Sequence, residues 1–482
     1  MLDVRPVGYV IGLLTAILGA MMLLPMAVDI YEANAQWPVF LESGIITMLS
    51  GGLIALACAN GVSEGLTLRQ TFLLTTLVWV ALPFFAAIPF VFGATEARAV
   101  DAFFEAMSGL TTTGSTVFSG LDDLPKGILL WRGILQWLGG IGIIVVAMVF
   151  LPELKVGGMQ IFRSEAFETM GKILPRATQI AAQISVIYIA ITFACMMTYL
   201  FLGMSGFDAL VHALTTVSTG GFSNYDASFG TFSGAPEYAA SIFMILAALP
   251  FVRYVQLVHG NATPLWRDTQ VRTFLAIIAI LVLITSLILT SIFPHHWEQA
   301  MREGLFNITS IMSGTGYASV DYMQWGGFLV IMFFFIGLIG GCAGSTACSV
   351  KIFRYQLLFA SIRSQIRTIH SPSGIFTPRY DGRPIGEDVL SSVMSFFVLF
   401  TVSLGALAVM LSFTGLDFTT SVSGAATAIA NIGPGLGDTI GPAGNFSTLN
   451  DTAKWLLAGG MLVGRLEVLA VYALFTVNFW RA

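Results

Sequence analysis

Apolar residues in this chain come in runs of two lengths. The long runs hold about 20 residues each, the length an α-helix needs to cross a bilayer, and ten of them stand out: 7–28, 40–59, 72–92, 128–151, 180–202, 239–258, 271–293, 328–350, 389–413 and 455–479. The short runs cannot span. Counted back ten residues from a glycine, they are 104–114, 210–220, 306–316 and 423–433, and they follow the third, fifth, seventh and ninth long runs. Their glycines fall about 100 residues apart, a period that marks internal repeats. The pattern predicts an all-α integral membrane protein of ten transmembrane helices. Two extra helices occupy 1–66. Four repeats of helix, re-entrant pore loop and helix follow over 67–178, 179–268, 269–386 and 387–482, arranged pseudo-fourfold around one pore.

Each short run ends in small residues: Thr111-Thr112-Thr113-Gly114, Val217-Ser218-Thr219-Gly220, Ser313-Gly314-Thr315-Gly316-Tyr317 and Ala430-Asn431-Ile432-Gly433. Glycine lets backbone carbonyls face a ligand, and non-helical backbone at membrane depth is tolerated only where it lines a watery path or is buried in protein. The third stretch resembles the Thr-Val-Gly-Tyr-Gly filter of potassium channels, in which carbonyl rings replace the hydration shell of the ion. Asp101, Asp208, Glu298 and Asp417 stand where the short helices open. A carboxylate there caps free N–H groups and leaves the negative end of the helix aimed at the filter.

Composition agrees with a membrane location. Of 482 residues, 56% are hydrophobic and 10% charged, too apolar for an ordinary soluble domain. A net charge of −5 argues against a nucleic-acid partner. The first apolar run lacks a small-residue cleavage site and reads as a retained helix. Cys58, Cys195, Cys342 and Cys348 lie in apolar stretches without metal-ligand spacing and read as buried, unbridged thiols. Most of the Lys and Arg residues gather at the N-terminus, around Arg69, in 155–176, 253–272 and 351–383, and at Arg481, which makes those segments and both termini cytoplasmic. Twelve acidic residues, among them Asp29, Asp101, Glu105, Asp208 and Asp226, fall on the other side, as an acidic vestibule that concentrates cations.

Two segments stand apart. Gly340-Gly341-Cys342-Ala343-Gly344-Ser345-Thr346 breaks the eighth run, where each glycine costs a helix about 1 kcal/mol. The preferred reading is an unwound loop below the filter that closes the path; small-residue helix packing is the alternative. Gly464-Arg465-Leu466-Glu467 places charges within the tenth run, and an intramembrane charge is functional by default. Burial of Arg465 against carbonyls is the structural alternative. The long loop 351–388 is basic and then turn-rich, suited to a protein partner or an anionic lipid surface. No nucleotide-binding fingerprint occurs, and the histidines read as interfacial or solvated.

Together with Ser108-Gly109-Leu110, Trp137-Leu138-Gly139-Gly140-Ile141-Gly142, Ser218-Thr219-Gly220-Gly221-Phe222 and Asn431-Ile432-Gly433-Pro434-Gly435, these motifs resemble the Trk/Ktr/HKT superfamily of cation transporters, in particular its TrkH-type members, over nearly the whole chain. The resemblance implies a homodimer with one pore per protomer in a bacterial cytoplasmic membrane. It also implies a cytosolic TrkA-like nucleotide-binding regulatory ring, with no cofactor on this chain. It implies potassium held by Thr112, Thr113, Gly114, Ser218, Thr219, Gly220, Gly314, Thr315, Gly316, Asn431, Ile432 and Gly433, and a gate made by Gly340 to Cys348 with Arg465. A serine at the first filter position accompanies sodium permeation in that superfamily, and Gly114 stands there. A gated potassium pore is therefore the leading expectation. A transporter coupling potassium to sodium or protons is the alternative, with Glu467 the one evident intramembrane carboxylate, and an intramembrane enzyme is disfavoured because no His/Asp/Glu cluster sits in the runs.

Overall fold

The structure, a computed structural model, describes residues 3–61, 66–145, 177–292 and 296–481. The end of the fourth expected span, the basic stretch 155–176 and His295 lie outside the described residues. Among the described residues regular structure is helical apart from a small antiparallel pairing of Arg379–Tyr380 with Arg383–Pro384 and a single parallel bridge between Ile339 and Val350.

Among the described residues seven helices are long and apolar enough to cross a membrane: Arg5–Tyr31, Trp37–Cys58, Leu68–Phe92, Lys126–Ile144, Gln179–Phe201, Thr269–Ile292 and Glu387–Phe413. The three other expected spans are broken, each for a local reason. The sixth consists of Ala235–Ala248 and Phe251–Val258, bent by 92°. Leu249 is extended there (φ −86°, ψ 158°), as a residue before proline prefers to be, and the N–H of Phe251 turns to the Gly344 carbonyl. The eighth stops at Gly337 after 11 residues, where the glycine-rich segment begins. The tenth stops at Arg465, followed by Glu467 and Val468 at φ +61° and +50° and by the short helices Leu469–Leu474 and Val477–Arg481.

Four shorter helices are the pore helices: Ala99–Leu110, Gly206–Val217, Trp297–Ser313 and Phe418–Ala430. Each packs on the helix before it and the helix after it in its own repeat. Each also receives the closing helix of the preceding repeat. Lys126–Val145 lies on the second pore helix, Ala235–Ala248 on the third, Gly327–Gly337 on the fourth, and Asp451–Arg465 returns to the first. That cyclic order makes one closed ring from one chain. At the last of these contacts the buried Lys454 ammonium donates to Asp101 (2.6 Å) and to the Ser447 carbonyl (2.9 Å).

The first two spans form a tight antiparallel pair beside the ring. A Cβ on Gly12 would lie 2.5 Å from the Ala55 nitrogen, and one on Gly51 would lie 2.5 Å from the Ala16 nitrogen, so the backbones meet as small-residue membrane interfaces allow. Asp29 at the end of this pair is buried, and its Oδ1 accepts the N–H of Gly127 (2.8 Å) in the first turn of the helix that closes repeat one.

Candidate functional site

The acidic starts of the pore helices act differently from one another. Asp417 caps its helix by accepting the Thr420 N–H, as expected. In the second repeat the cap is Ser205, which accepts the N–H of Asp208. In the first, Arg98 holds the cap position without a side-chain bond and Asp101 sits in the first turn. In the third, His296 holds it likewise, with Glu298 in the first turn. All four helices end at the filter strands and begin at the far end, so their dipoles share one direction.

At the other end the four helices stop in one motif. Thr112, Thr219, Gly314 and Asn431 adopt φ of +50°, +51°, +76° and +51°. The N–H groups of the following Thr113, Gly220, Thr315 and Ile432 turn back to Ser108, Thr215, Ser310 and Thr427 at 2.9 to 3.1 Å, the backbone bond of a Schellman-type helix end. Glycine and asparagine suit that conformation, whereas two β-branched threonines there are strained. A second left-handed residue follows two places later: Gly114, Gly221, Gly316 and Gly433, at φ +87°, +78°, +82° and +107°.

This corrects the register of the second repeat. The residue matching Gly114, Gly316 and Gly433 is Gly221, so the second filter strand runs Thr219-Gly220-Gly221. Ser218 corresponds to Thr111, Ser313 and Ala430. Gly220 has no positive φ; it is glycine because a Cβ would lie 2.3 Å from Cδ of Gln136.

The four strands face each other in order. A Cβ on Gly114 would lie 2.3 Å from the carbonyl oxygen of Gly220, one on Gly221 1.9 Å from that of Thr315, one on Gly316 1.9 Å from that of Ile432, and one on Gly433 2.8 Å from that of Thr113. The carbonyls of Thr113, Gly220, Thr315 and Ile432 thus form a ring, each against the glycine of a neighbouring strand. Above it lies a cavity of about 220 Å³ with Gly114, Gly221, Gly316 and Gly433 at its floor and Asp226 in its wall. The acidic residues near this mouth hold protein groups. Asp208 accepts from Asn224 and Tyr225, and Asp226 from the N–H groups of Gly120 and Leu121.

On the far side of the ring, residues 338–351 run without helix, as the glycines predict, between Gly327–Gly337 and Ile352–His370. Cys342 and Thr346 donate through their N–H groups to the carbonyls of Ala248 and Ala247, Ser349 to that of Ala430, and Ala343 to the side chain of Gln270. The loop is thereby tied to the break of repeat two and to the end of the fourth pore helix. Cys348 lies directly under the ring, with its Sγ 3.6 Å from Thr112 Oγ1 and 2.9 Å from Arg465 Nη1, and its Cβ 3.0 Å from where a Gly314 side chain would begin. Arg465 also donates to the carbonyl of Gly139 (3.1 Å), and its Nε is buried without a partner. Glu467 does not pair with Arg465; it takes the buried Arg354, which stacks 3.9 Å over the ring of Phe396. The sequence profile of the TrkH family, described as a cation transport protein, matches residues 36–481.

The chain belongs to the TrkH family. It is similar over 100% of both chains, with a TM-score of 0.90 and 31% identity, to the crystal structure of the potassium transporter TrkH from Vibrio parahaemolyticus. It is 43% identical to the Trk system potassium uptake protein TrkI of Halomonas elongata over 99% of this chain and 97% of that one. It is 34% identical to the Trk system potassium uptake protein TrkH of Escherichia coli K12 over 99% of each. As a TrkH-family member the chain is a multi-pass membrane transport protein and not an enzyme.

Several groups around the carbonyl ring were read otherwise, or not at all, in the sequence. Glu105, expected among the vestibule acids, is instead fully buried in the first pore helix and paired with buried Arg132 (2.8 Å); the pair also holds Thr116, the Val117 N–H and the Ser223 carbonyl. Gln136 holds the second strand. His212, expected at an interface, is buried in the second pore helix between the Asp208 carbonyl and Ser223. A polar residue inside an apolar run was the available signal for Arg132 and Gln136, because such a residue must find a partner.

Proposed function

We propose that this chain is the ion-conducting membrane subunit of a potassium uptake system, passing dehydrated potassium ions through the carbonyl ring. The carrying observation is the ring itself: four carbonyls from four repeats, each lying against the glycine of a neighbouring strand, which is the arrangement that replaces an ion's water shell. Thr112, Thr113, Gly114, Thr219, Gly220, Gly221, Gly314, Thr315, Gly316, Asn431, Ile432 and Gly433 are its binding residues. The ion follows from the relatives, which are potassium transporters and potassium uptake proteins. The mouth above the glycines faces outward, since basic segments such as 351–383 lie on the opposite side and both termini accompany them.

The loop 340–348 and Arg465 form the gate in this reading. The loop places backbone and the Cys348 thiol beneath the ring, and Arg465 adds a fixed positive charge at the same level, where a cation meets repulsion little screened by water. A cytosolic nucleotide-binding ring opens it, acting on a homodimer through the loops on the gate side. The test is flux in vesicles reconstituted with the purified protein under a potassium gradient alone. Rubidium tracer uptake that potassium competes and sodium does not is the expected result. Uptake that appears only when a sodium or proton gradient is added would replace the channel with a coupled transporter.

A further inference from the structure

We propose that Gln136 is a positioning residue for ion discrimination: its side-chain amide pins the Gly220 carbonyl of the ring and keeps it from closing onto a small cation. The inference rests on the potassium-pore reading. Of the four ring carbonyls, those of Thr113, Thr315 and Ile432 accept no hydrogen bond among the described residues, while that of Gly220 accepts Gln136 Nε2 at 2.5 Å. The other end of the same amide, Oε1, accepts the N–H of Phe222 at 3.0 Å. One side chain therefore clamps the second strand on both sides of Gly221. Gln136 is fully buried on Lys126–Val145, the helix that repeat one lays against the second pore helix, so the clamp is supplied by a neighbouring repeat. The missing side chain at Gly220 makes the room for it.

The physical consequence concerns which ion the ring can follow. Three carbonyls held only by their backbone can tilt inward toward an ion smaller than potassium. The fourth must first leave a buried donor without a partner, which is costly in a low-dielectric site. The hydrogen bond also draws electron density from the oxygen, weakening the field that favours the smaller, harder ion. Both effects disfavour sodium. They require the donor at Nε2, not the bulk of the side chain.

Gln136→Met keeps the volume and removes both ends of the clamp. In vesicles at equal amounts of monodisperse protein, the ratio of potassium to sodium competition against rubidium uptake should fall about three- to tenfold, the range set by one such hydrogen bond. Rubidium uptake itself should persist. Gly220→Ala attacks the same contact from the other side, because its Cβ displaces the amide, and should lower the ratio likewise; the double variant should add little, as for partners in one contact. Either single variant suffices if the other does not fold. A wild-type protein with no potassium-competed uptake would defeat the pore reading. A wild-type protein that discriminates, beside a folded Gln136→Met or Gly220→Ala that discriminates equally, would overturn the clamp alone and leave Gln136 a structural residue.

Discussion

Gly114 shows how little space one filter residue has. Its Cβ would lie 2.3 Å from the Gly220 oxygen, and its φ of +87° is one that L side chains rarely adopt, so Gly114→Ser must push its strand or its neighbour away from the axis. The potassium to sodium ratio should fall in tracer competition. Gly120→Ser, with φ +69° and nothing within 4 Å, carries similar backbone strain without touching the ring and should keep the ratio. The buried Arg132–Glu105 pair allows a second prediction. Arg132→Met strands a fully buried carboxylate and should cost about 3–5 kcal/mol, whereas Arg132→Met with Glu105→Met should recover most of that loss. Thermal unfolding in detergent would show both. At this scale the sequence revealed the glycines but not the register of the second strand. Gly220 and Gly221 are adjacent, and composition cannot tell the glycine that serves φ from the glycine that makes room for a side chain.

The element that organises the far side of the ring is the unwound segment after Gly337. Its glycines announce the unwinding, but its anchors do not show in a one-dimensional pattern, because they are carbonyls left free at helix ends elsewhere, at Ala247, Ala248 and Ala430. The sixth span was expected to run straight through Pro250 because its apolar residues continue past the proline; hydropathy reports burial, and backbone direction only weakly. Arg465→Ala removes both the charge and the guanidinium that holds Cys348 and Gly139. Flux without the regulatory partner should rise about tenfold or more, since a few kcal/mol of repulsion is at stake. Deleting 341–345 should act in the same direction, and the two changes together should be less than additive. Cys348→Ser, which keeps an acceptor for Arg465, should leave flux near wild type, while Cys348→Val should raise it. Unchanged or lower partner-free flux in Arg465→Ala, at equal protein in the membrane, would return Arg465 to a structural role.

For the whole molecule, the pseudo-fourfold plan was legible from the spacing of the four short runs. The cyclic contacts between repeats were not, since they depend on which helix packs on which. The surface on the same side as residues 338–351 carries the helix Ile352–His370 and the hairpin after it, where Ile366, Ile369 and Ile375 are exposed beside Arg363 and Arg367. That mixture of apolar and basic groups suits an acidic, partly apolar protein surface. Deleting 371–382 should weaken capture of the regulatory ring while the pore stays folded, as size-exclusion behaviour and partner-free rubidium uptake would report. Undiminished capture would move the docking site elsewhere.

Because the ring closes within one polypeptide, a substitution enters it once. In an assembly of four identical subunits every change at a filter position is made four times over, and most would be lethal to conduction. Here each quarter has its own genetic address. That freedom is visible in the strands themselves: hydroxyl pairs 2.7 Å apart brace the first and third (Thr111 with Thr113, Ser313 with Thr315), while amides brace the others, Gln136 at Gly220 and the Asn431 side chain reaching Thr113. Ion preference in such a molecule can drift in small steps, one quadrant at a time.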